Sequence, residues 1–236
     1  MQEKSKKSLS KSESNSRADR PVLEEYIRQL RKEYSGDILD ENSVERNPYQ
    51  EFIKWLEHAV KSGVQDPHAM VLATASPDGV PSARVVLLRE YDNDGFIFFT
   101  NYGSRKATEA LKNPRASILF FWREMDRQIR IEGRIEKVDP VISDRYFESR
   151  PKDSQIAAWA SNQSELIRDR EELEKKFAGF EGRFLNVPVP RPENWGGLRL
   201  RPERFEFWQG RPGRLHDRIV YALEDDGSWR IFRLAP

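Results

Sequence analysis

Apolar residues recur along this chain with two different periods. Leu23, Tyr26, Ile27 and Leu30 fall at helical spacing within residues 22–34, which predicts a helix that stops at Gly36, where a left-handed C-cap costs nothing. A second helix is predicted to open with Asn47 as N-cap and Pro48 at the first helical position, to carry Phe52, Trp55, Leu56 and Ala59 on one side, and to end near Gly63. Both are expected to lie as lids on a sheet. From Ala69 the pattern shortens to alternating or continuous apolar runs punctuated by turn residues, the mark of antiparallel strands. Residues 69–75 lead through Pro77-Asp78-Gly79 into 80–88, and Asp92-Asn93-Asp94-Gly95 leads into 96–100. Residues 117–122 and 128–138 predict another pair, followed by a mostly helical insertion from Val141 to about Phe180. Strand regions near 198–208 and 219–234 close the chain, the latter with a hairpin at Asp225-Asp226-Gly227. Six or more short antiparallel strands with helices at the edges predict a small barrel in an α+β protein. No internal repeat is visible.

Composition narrows the chemistry. The 236 residues are enough for a sizeable core, and one domain over 21–236 is expected, preceded by a disordered tail over 1–20. That tail holds six serines, an excess of Lys and Arg, and Leu9 as the one large apolar side chain after Met1, too little to offset its ordering entropy. It lacks the apolar stretch of a secretory signal, and Glu3, Glu13 and Asp19 argue against a transit peptide. With 40 Lys and Arg against 39 Asp and Glu there is no global pull toward nucleic acid or membrane, so any anion site is local. The absence of cysteine excludes disulfides, iron–sulfur clusters and thiolate catalysis and fits a reducing, cytoplasmic setting. Three scattered histidines argue against a metal site. Chemistry here needs carboxylates or a borrowed cofactor.

Four clusters are candidates for binding anions. Arg84 and Arg89 bracket the run Val85-Val86-Leu87-Leu88, and period two sends 84, 86 and 88 to one face and 85, 87 and 89 to the other. An arginine beside core positions needs an anion, although two strand-end arginines in solvent fit the run as well. Ser104 is placed to cap a helix whose free N–H groups, with Arg105 and Lys106, make a phosphate cradle, or simply a helix start. Tyr146, Arg150 and Ser154 are spaced to share a helix face, interrupted by Pro151. They suit a phosphate monoester, or form an exposed polar corner. Alternation from 214 onward sends Arg214, His216 and Arg218 to one face beside Trp208, a cationic row that needs an anion unless it is a solvated hairpin edge. Physics alone thus reaches a barrel with separate anion clusters beside aromatics, which suggests a phosphorylated aromatic ligand, with room for a second.

At these same segments the chain resembles the pyridoxamine 5′-phosphate oxidase family. The likeness runs from about Tyr26 to Pro236. It rests on Arg-Lys-Glu-Tyr at 31–34, Arg-Val-Val-Leu-Leu-Arg at 84–89, Gly-Ser-Arg-Lys-Ala at 103–107, Ser-Arg-Pro-Lys-Asp-Ser-Gln at 149–155, Phe-Trp-Gln-Gly at 207–210, Arg-Leu-His-Asp-Arg at 214–218 and the ending Arg-Leu-Ala-Pro. The resemblance implies an antiparallel FMN-binding split β-barrel of Greek-key type with peripheral helices, working as a homodimer with flavin mononucleotide (FMN) at the subunit interface. It implies that Arg84, Arg105, Lys106 and Ser164 meet the flavin phosphate and ribityl region. Val85, Val86, Leu87, Leu88, Phe99, Thr100, Gln128, Gln163, Trp208 and Arg218 would contact the rest of the cofactor. Arg89, Tyr146, Arg150 and Ser154 would hold the substrate phosphate, Arg214, Leu215 and His216 would sit over the substrate ring, and Arg31, Lys32, Glu33 and Tyr34 would close as a lid. Arg214 and His216 are the implied catalytic residues, with Asp66 a further candidate for proton handling.

The reaction so implied is oxidation of pyridoxamine or pyridoxine 5′-phosphate to the aldehyde, with molecular oxygen as final acceptor. Arg89 stands where the family often has Lys, and Phe99 where it often has Tyr. Arg keeps a fixed charge with forked donors, so phosphate binding is expected to survive. Two other readings stay open: a non-catalytic flavin or pyridoxal-phosphate carrier on the same barrel, and an oligonucleotide-binding barrel that uses the arginines on backbone phosphates.

Overall fold

Alternation on each strand sorts the side chains onto two faces of a curled antiparallel sheet. The computed structural model describes residues 20–30, 32–34 and 36–236, so the predicted tail and Arg31 lie outside the described residues except for Arg20. Helices α1 (Arg20–Gln29) and α2 (Pro48–Lys61) come first, followed by strands β1 (Ala69–Ala75), β2 (Pro81–Leu87), β3 (Glu90–Asp92) and β4 (Gly95–Asn101). Helix α3 (Arg105–Lys112) leads to β5 (Arg115–Trp122) and β6 (Arg127–Lys137). The helical insertion is α4 (Pro140–Glu148), α5 (Lys152–Ala160) and α6 (Arg170–Arg183), and β7 (Trp195–Gln209), β8 (Asp217–Leu223) and β9 (Trp229–Arg233) close the chain. The sheet order is β2-β1-β5-β6-β7-β4-β3, with β8 on β7 and β9 on β8. Neighbours such as β1–β5 and β4–β7 are far apart in sequence, as a Greek-key barrel requires. The fold is the split barrel that the α+β expectation named.

The long strand β7 is what curls the sheet. Its first part pairs with β4 and its second with β8, while β6 runs beside almost the whole length. A register shift between Glu132 and Gly133 bends β6 where it faces Arg201 and Pro202. There the Gly133 Cα lies against the Arg201 carbonyl, and any side chain would collide with it. Inside the curl, Met70, Leu72, Phe96, Phe98, Ile118, Phe120, Ile129, Ile131, Phe205 and Phe207 form one buried cluster, which α2 closes with Phe52 and Trp55. A smaller cluster of Phe147, Ile156, Phe184, Val189 and Trp195 seats the helical insertion outside β4 and β7.

Several expectations are corrected. The first helix ends at Gln29 rather than near Tyr34, and its Leu23, Tyr26, Ile27 and Leu30 are each 58–59% exposed, so it is no lid on the sheet. Gly36 adopts no left-handed cap; it is needed because Gln209 and the Gly210 carbonyl press on its Cα. The run from 214 to 218 is not one strand: a 3₁₀ turn holds 212–214, Arg214 has φ +61°, and β8 begins at Asp217. Alternation therefore cannot align Arg214 with Arg218. The α2 start is as predicted, with the Asn47 side chain accepting from the Tyr49 N–H. Among the described residues no helix is long and apolar enough to cross a membrane.

Phe96 has no exposure and packs 4.8 Å from Phe52 and 5.9 Å from Phe205, centroid to centroid. Phe96→Ala should cost about 3–5 kcal/mol in equilibrium urea unfolding; a loss below about 1 kcal/mol would contradict this account of the core.

Candidate functional site

The interior of the barrel changes character at one end. Inward positions on β1 run Met70, Leu72, Thr74; on β2 and the residue after it, Leu88 and Val86 give way to Arg84 and Ser82; on β4, Phe96 and Phe98 give way to Thr100. Register brings these together, with Leu72 opposite Arg84 and Thr74 opposite Ser82. Ser104 caps α3 by accepting from the Ala107 N–H, and α3 closes this polar end with Glu109 turned inward. An apolar alternation broken by Thr, Ser and Arg at adjoining inward positions leaves the core and starts a site.

The polar end opens into a cleft of about 1070 Å³. Arg84, Val85, Val86, Leu87, Phe99, Thr100, Arg105, Lys106, Gln163 and Ser164 line it, and so do Arg89, Tyr146, Arg150 and Ser154. The structure thus gathers three of the four predicted clusters, the arginine pair among them, in one cavity. The Leu88 side chain is the exception: it is buried among core residues, because its inward position lies beyond the polar end.

One half of the cleft is built on α3. Glu109, 7% exposed, accepts from Thr74 Oγ1 at 2.6 Å, from Ser82 Oγ, and from Arg105 Nε at 2.8 Å. Those hydroxyl bonds, from Ser82 and then Thr74, and the Arg105 guanidinium hold its pKa down to about 2. Lys106 has no carboxylate partner among the described residues. Its Nζ reaches Gln163 Oε1 at 3.1 Å and Thr100 Oγ1 at 3.4 Å, and burial, then the Arg84 charge, lowers its pKa. Ser164 takes a left-handed φ of +77° and accepts the Arg105 N–H. Arg84, Arg105 and Lys106 against Glu109 leave two positive charges in excess.

The other half is aromatic and cationic. Tyr146 stacks on Phe99 at 3.8 Å, and Arg150 lies 4.5 Å over the Trp195 ring. Gly197 lets β7 approach, since a Cβ there would come 3.0 Å from the Phe99 ring. Pro151 does break the helix, yet Gln155 Nε2 donates to the Phe147 and Glu148 carbonyls and holds the α4–α5 corner, so Tyr146, Arg150 and Ser154 still meet. The Arg150 Nη1 is buried without a partner among the described residues, and burial lowers the pKa of this arginine. Arg150 lines the cleft with no carboxylate partner among the described residues, which suits an incoming anion. Trp195 was missed from the sequence; a Trp preceding two glycines gives no sign of facing a cleft.

The remaining predicted residues lie elsewhere on the chain. Phe121, Gln128, Trp208 and Arg218 form a registered row across β5, β6, β7 and β8 on the outer face. His216 packs against Trp208 at 4.7 Å and against Tyr34 at 5.0 Å. Lys32 is bonded to Asp126 and to the Arg123 carbonyl, Glu33 is exposed, and Tyr34 presses on Gly210. Arg214 and Leu215 are exposed in the loop. Asp66, on an exposed turn before β1 with a left-handed φ of +49°, belongs to neither group. Among the described residues no group of acids and histidines could hold a metal ion.

Residues 56–184, more than half of the chain, match the family model described as pyridoxamine 5′-phosphate oxidase. The chain belongs to the pyridoxamine 5′-phosphate oxidase family. Residues 195–236 match a second model, the pyridoxine 5′-phosphate oxidase C-terminal dimerisation region. A Trichormus variabilis protein named pyridoxine/pyridoxamine 5′-phosphate oxidase is 50% identical over 214 residues, covering 91% of this chain and all of that one. One of the same name from Rubrobacter xylanophilus is 53% identical over 207 residues, 88% of this chain and 95% of that one. The solved structure of PhzG from Burkholderia lata, in complex with tetrahydrophenazine-1-carboxylic acid, superposes with TM-score 0.80 at 34% identity, over 86% of this chain and all of that one. An FMN-binding protein from Nostoc punctiforme shares the fold at TM-score 0.63 and 20% identity. Apart from Trp195, the cleft residues fall in the first family region or just beside it, and Trp208, Arg214, His216 and Arg218 fall in the dimerisation region.

The His216 Nδ1 accepts the Arg211 N–H, which leaves the neutral ring's proton on Nε2. Burial and then the Arg214 charge push its pKa below the ordinary 6.5. A proton-NMR titration of the ring should give a midpoint below 6.5 that rises in Arg214→Ala; a midpoint at or above 6.5 in the unaltered protein would contradict the placement.

Proposed function

We propose that this protein is an FMN-dependent oxidase of pyridoxamine and pyridoxine 5′-phosphates that works as a homodimer. The observation that carries the reading is the pairing, in one cleft, of two cation sets without enough counter-charge: Arg84, Arg105 and Lys106 over one Glu109, and Arg89 with Arg150 beside an orphaned Nη1. Two phosphate monoesters suit two such sets. The residues present fit FMN. Arg84, Arg105, Lys106 and Ser164 would hold its phosphate, and Thr100 and Gln163 would meet the ribityl chain or ring, with Val85, Val86 and Leu87 as apolar wall. Arg89, Tyr146, Arg150 and Ser154 would hold the substrate phosphate.

Bound there, the flavin would supply the two-electron redox chemistry, by which the substrate carbon that bears the alcohol or amine is oxidised and oxygen is reduced to peroxide. Water completes the balance for the amine, which leaves as ammonia. The protein's own work is orientation. Gln128, Trp208, Arg214, His216 and Arg218 line no part of the cleft in their own chain, and the dimerisation match covers all of them but Gln128. A second copy would bring that row against the cleft, so that Arg214 and the His216 Nε2–H face the substrate ring. Exposed Val85 and Phe121 supply apolar contact for such an interface. Lys32 and Tyr34 close the end of the row.

Purified protein should be yellow and consume oxygen with either phosphate ester, forming peroxide. A yellow protein that takes up no oxygen would mean a flavin carrier, and a colourless one that stays so with added FMN would sink the reading. Arg214→Ala should lower turnover at least about a hundred-fold while flavin content stays within about two-fold; equal loss of both would remove Arg214 from the reaction.

A further inference from the structure

Among the described residues Glu109 is the one carboxylate in contact with the α3 cations, and it lines no part of the cleft itself. Its neighbours do. Arg105, Arg84 and Ser82 all face the cavity, and each is bonded to Glu109 from behind. The Arg105 side chain is 64% exposed, yet its Nε is tied to Glu109 Oε1, which leaves both Nη groups free to face a ligand. Arg84 is held more fully. Its Nη1 donates to the Leu72 carbonyl at 3.1 Å and to Thr74 Oγ1 at 2.6 Å, and its Nη2 donates to Ser82 Oγ and lies 3.5 Å from Glu109 Oε2. Thr74 and Ser82 each give their own proton to that same oxygen, so the two hydroxyls relay the carboxylate to Arg84.

We infer that Glu109 is a positioning residue for the cofactor phosphate. Three cations with no anion among them would splay apart by mutual repulsion. One buried carboxylate behind them fixes two guanidinium groups at set angles before any ligand arrives, and the excess of two positive charges that remains matches a phosphate dianion. A solely structural ion pair would bind one arginine; this carboxylate engages two arginines from different elements and two strand hydroxyls, and every group it reaches but Thr74 opens onto the cleft.

The inference rests on the flavin reading above, and the test separates the two. FMN and riboflavin, which differ by the phosphate alone, are titrated into flavin-stripped protein by fluorescence quenching. The unaltered protein should prefer FMN strongly. Glu109→Gln should cut that preference at least about ten-fold while riboflavin affinity stays within about two-fold, since hydrogen bonds to charged groups are what is lost. Thr74→Val keeps the carboxylate but removes the hydroxyl shared with Arg84, and should cut the preference about three-fold. It decides the matter if Glu109→Gln does not fold. A preference unchanged or increased in the variants would overturn the positioning role, the increase meaning that the carboxylate only repels the phosphate. An unaltered protein without preference for FMN would overturn the flavin-phosphate reading, and this inference with it.

Discussion

Cations crowd inside a protein only where anions hold them or are meant to arrive. In this chain, the constraint shapes one end of the barrel. Thr74, Ser82, Arg84 and Thr100 occupy inward positions that elsewhere on the same strands carry Met, Leu, Val and Phe, and α3 delivers Arg105, Lys106 and Glu109 to the same spot. Replacing apolar atoms by charge in a half-enclosed place is costly unless the charge is compensated. Glu109 compensates in part, and the charge left over has no further carboxylate partner among the described residues. The helical insertion adds Arg150, with a donor that nothing among the described residues accepts. The rest of the architecture serves to hold these groups still: the long β7 that curls the sheet, the Phe-rich core beneath, and the Gln155 brace at the α4–α5 corner.

Much of this was legible beforehand because it is local. Alternation on β1, β4 and β5, the Asn47-Pro48 helix start and the Ser104 cap each depend on a few neighbouring residues, and the strands and caps stand within a residue or two of where the pattern puts them. The face assignment of residues 84–89 came from period two alone and holds in the burial of β2. What failed depended on distant contacts. Gly36 looked like a helix cap and is instead a point of close approach to Gln209, 173 positions away in sequence by subtraction. The run 214–218 alternates in letters, but the Gly213 and Arg214 backbone is left-handed, and a strand cannot start there. Glu109, Thr74 and Trp195 carried no motif; only the register of β1 with β2 and the packing of α3 set Thr74 and Glu109 behind the cleft, and only the path of β7 brings Trp195 to its wall.

The candidate site also divides in a way that no motif announces. Apart from Trp195, the cleft belongs to the strands and helices before residue 184, and the Trp208, His216 and Arg218 group lines no part of it and falls in the region that matches a dimerisation model. A chain that needs both groups at one ligand needs a second copy of itself, which is how the proposed homodimer and the proposed chemistry depend on one another. Glu206, 3% exposed, sits under that outer row with Arg130 at 2.6 Å and Arg218 at 2.9 Å, so the outer row is held by a buried carboxylate much as the cleft is.

The central claim is that the cleft's spare cations form two separate seats for phosphate esters. Equilibrium dialysis of pyridoxal 5′-phosphate against FMN-loaded protein tests it most directly. The account predicts that pyridoxal phosphate binds while the FMN stays in place, and that Arg150→Ala weakens this binding by at least about ten-fold with the flavin retained. Release of FMN in equal amount to the pyridoxal phosphate bound would mean a single seat, and would contradict the account.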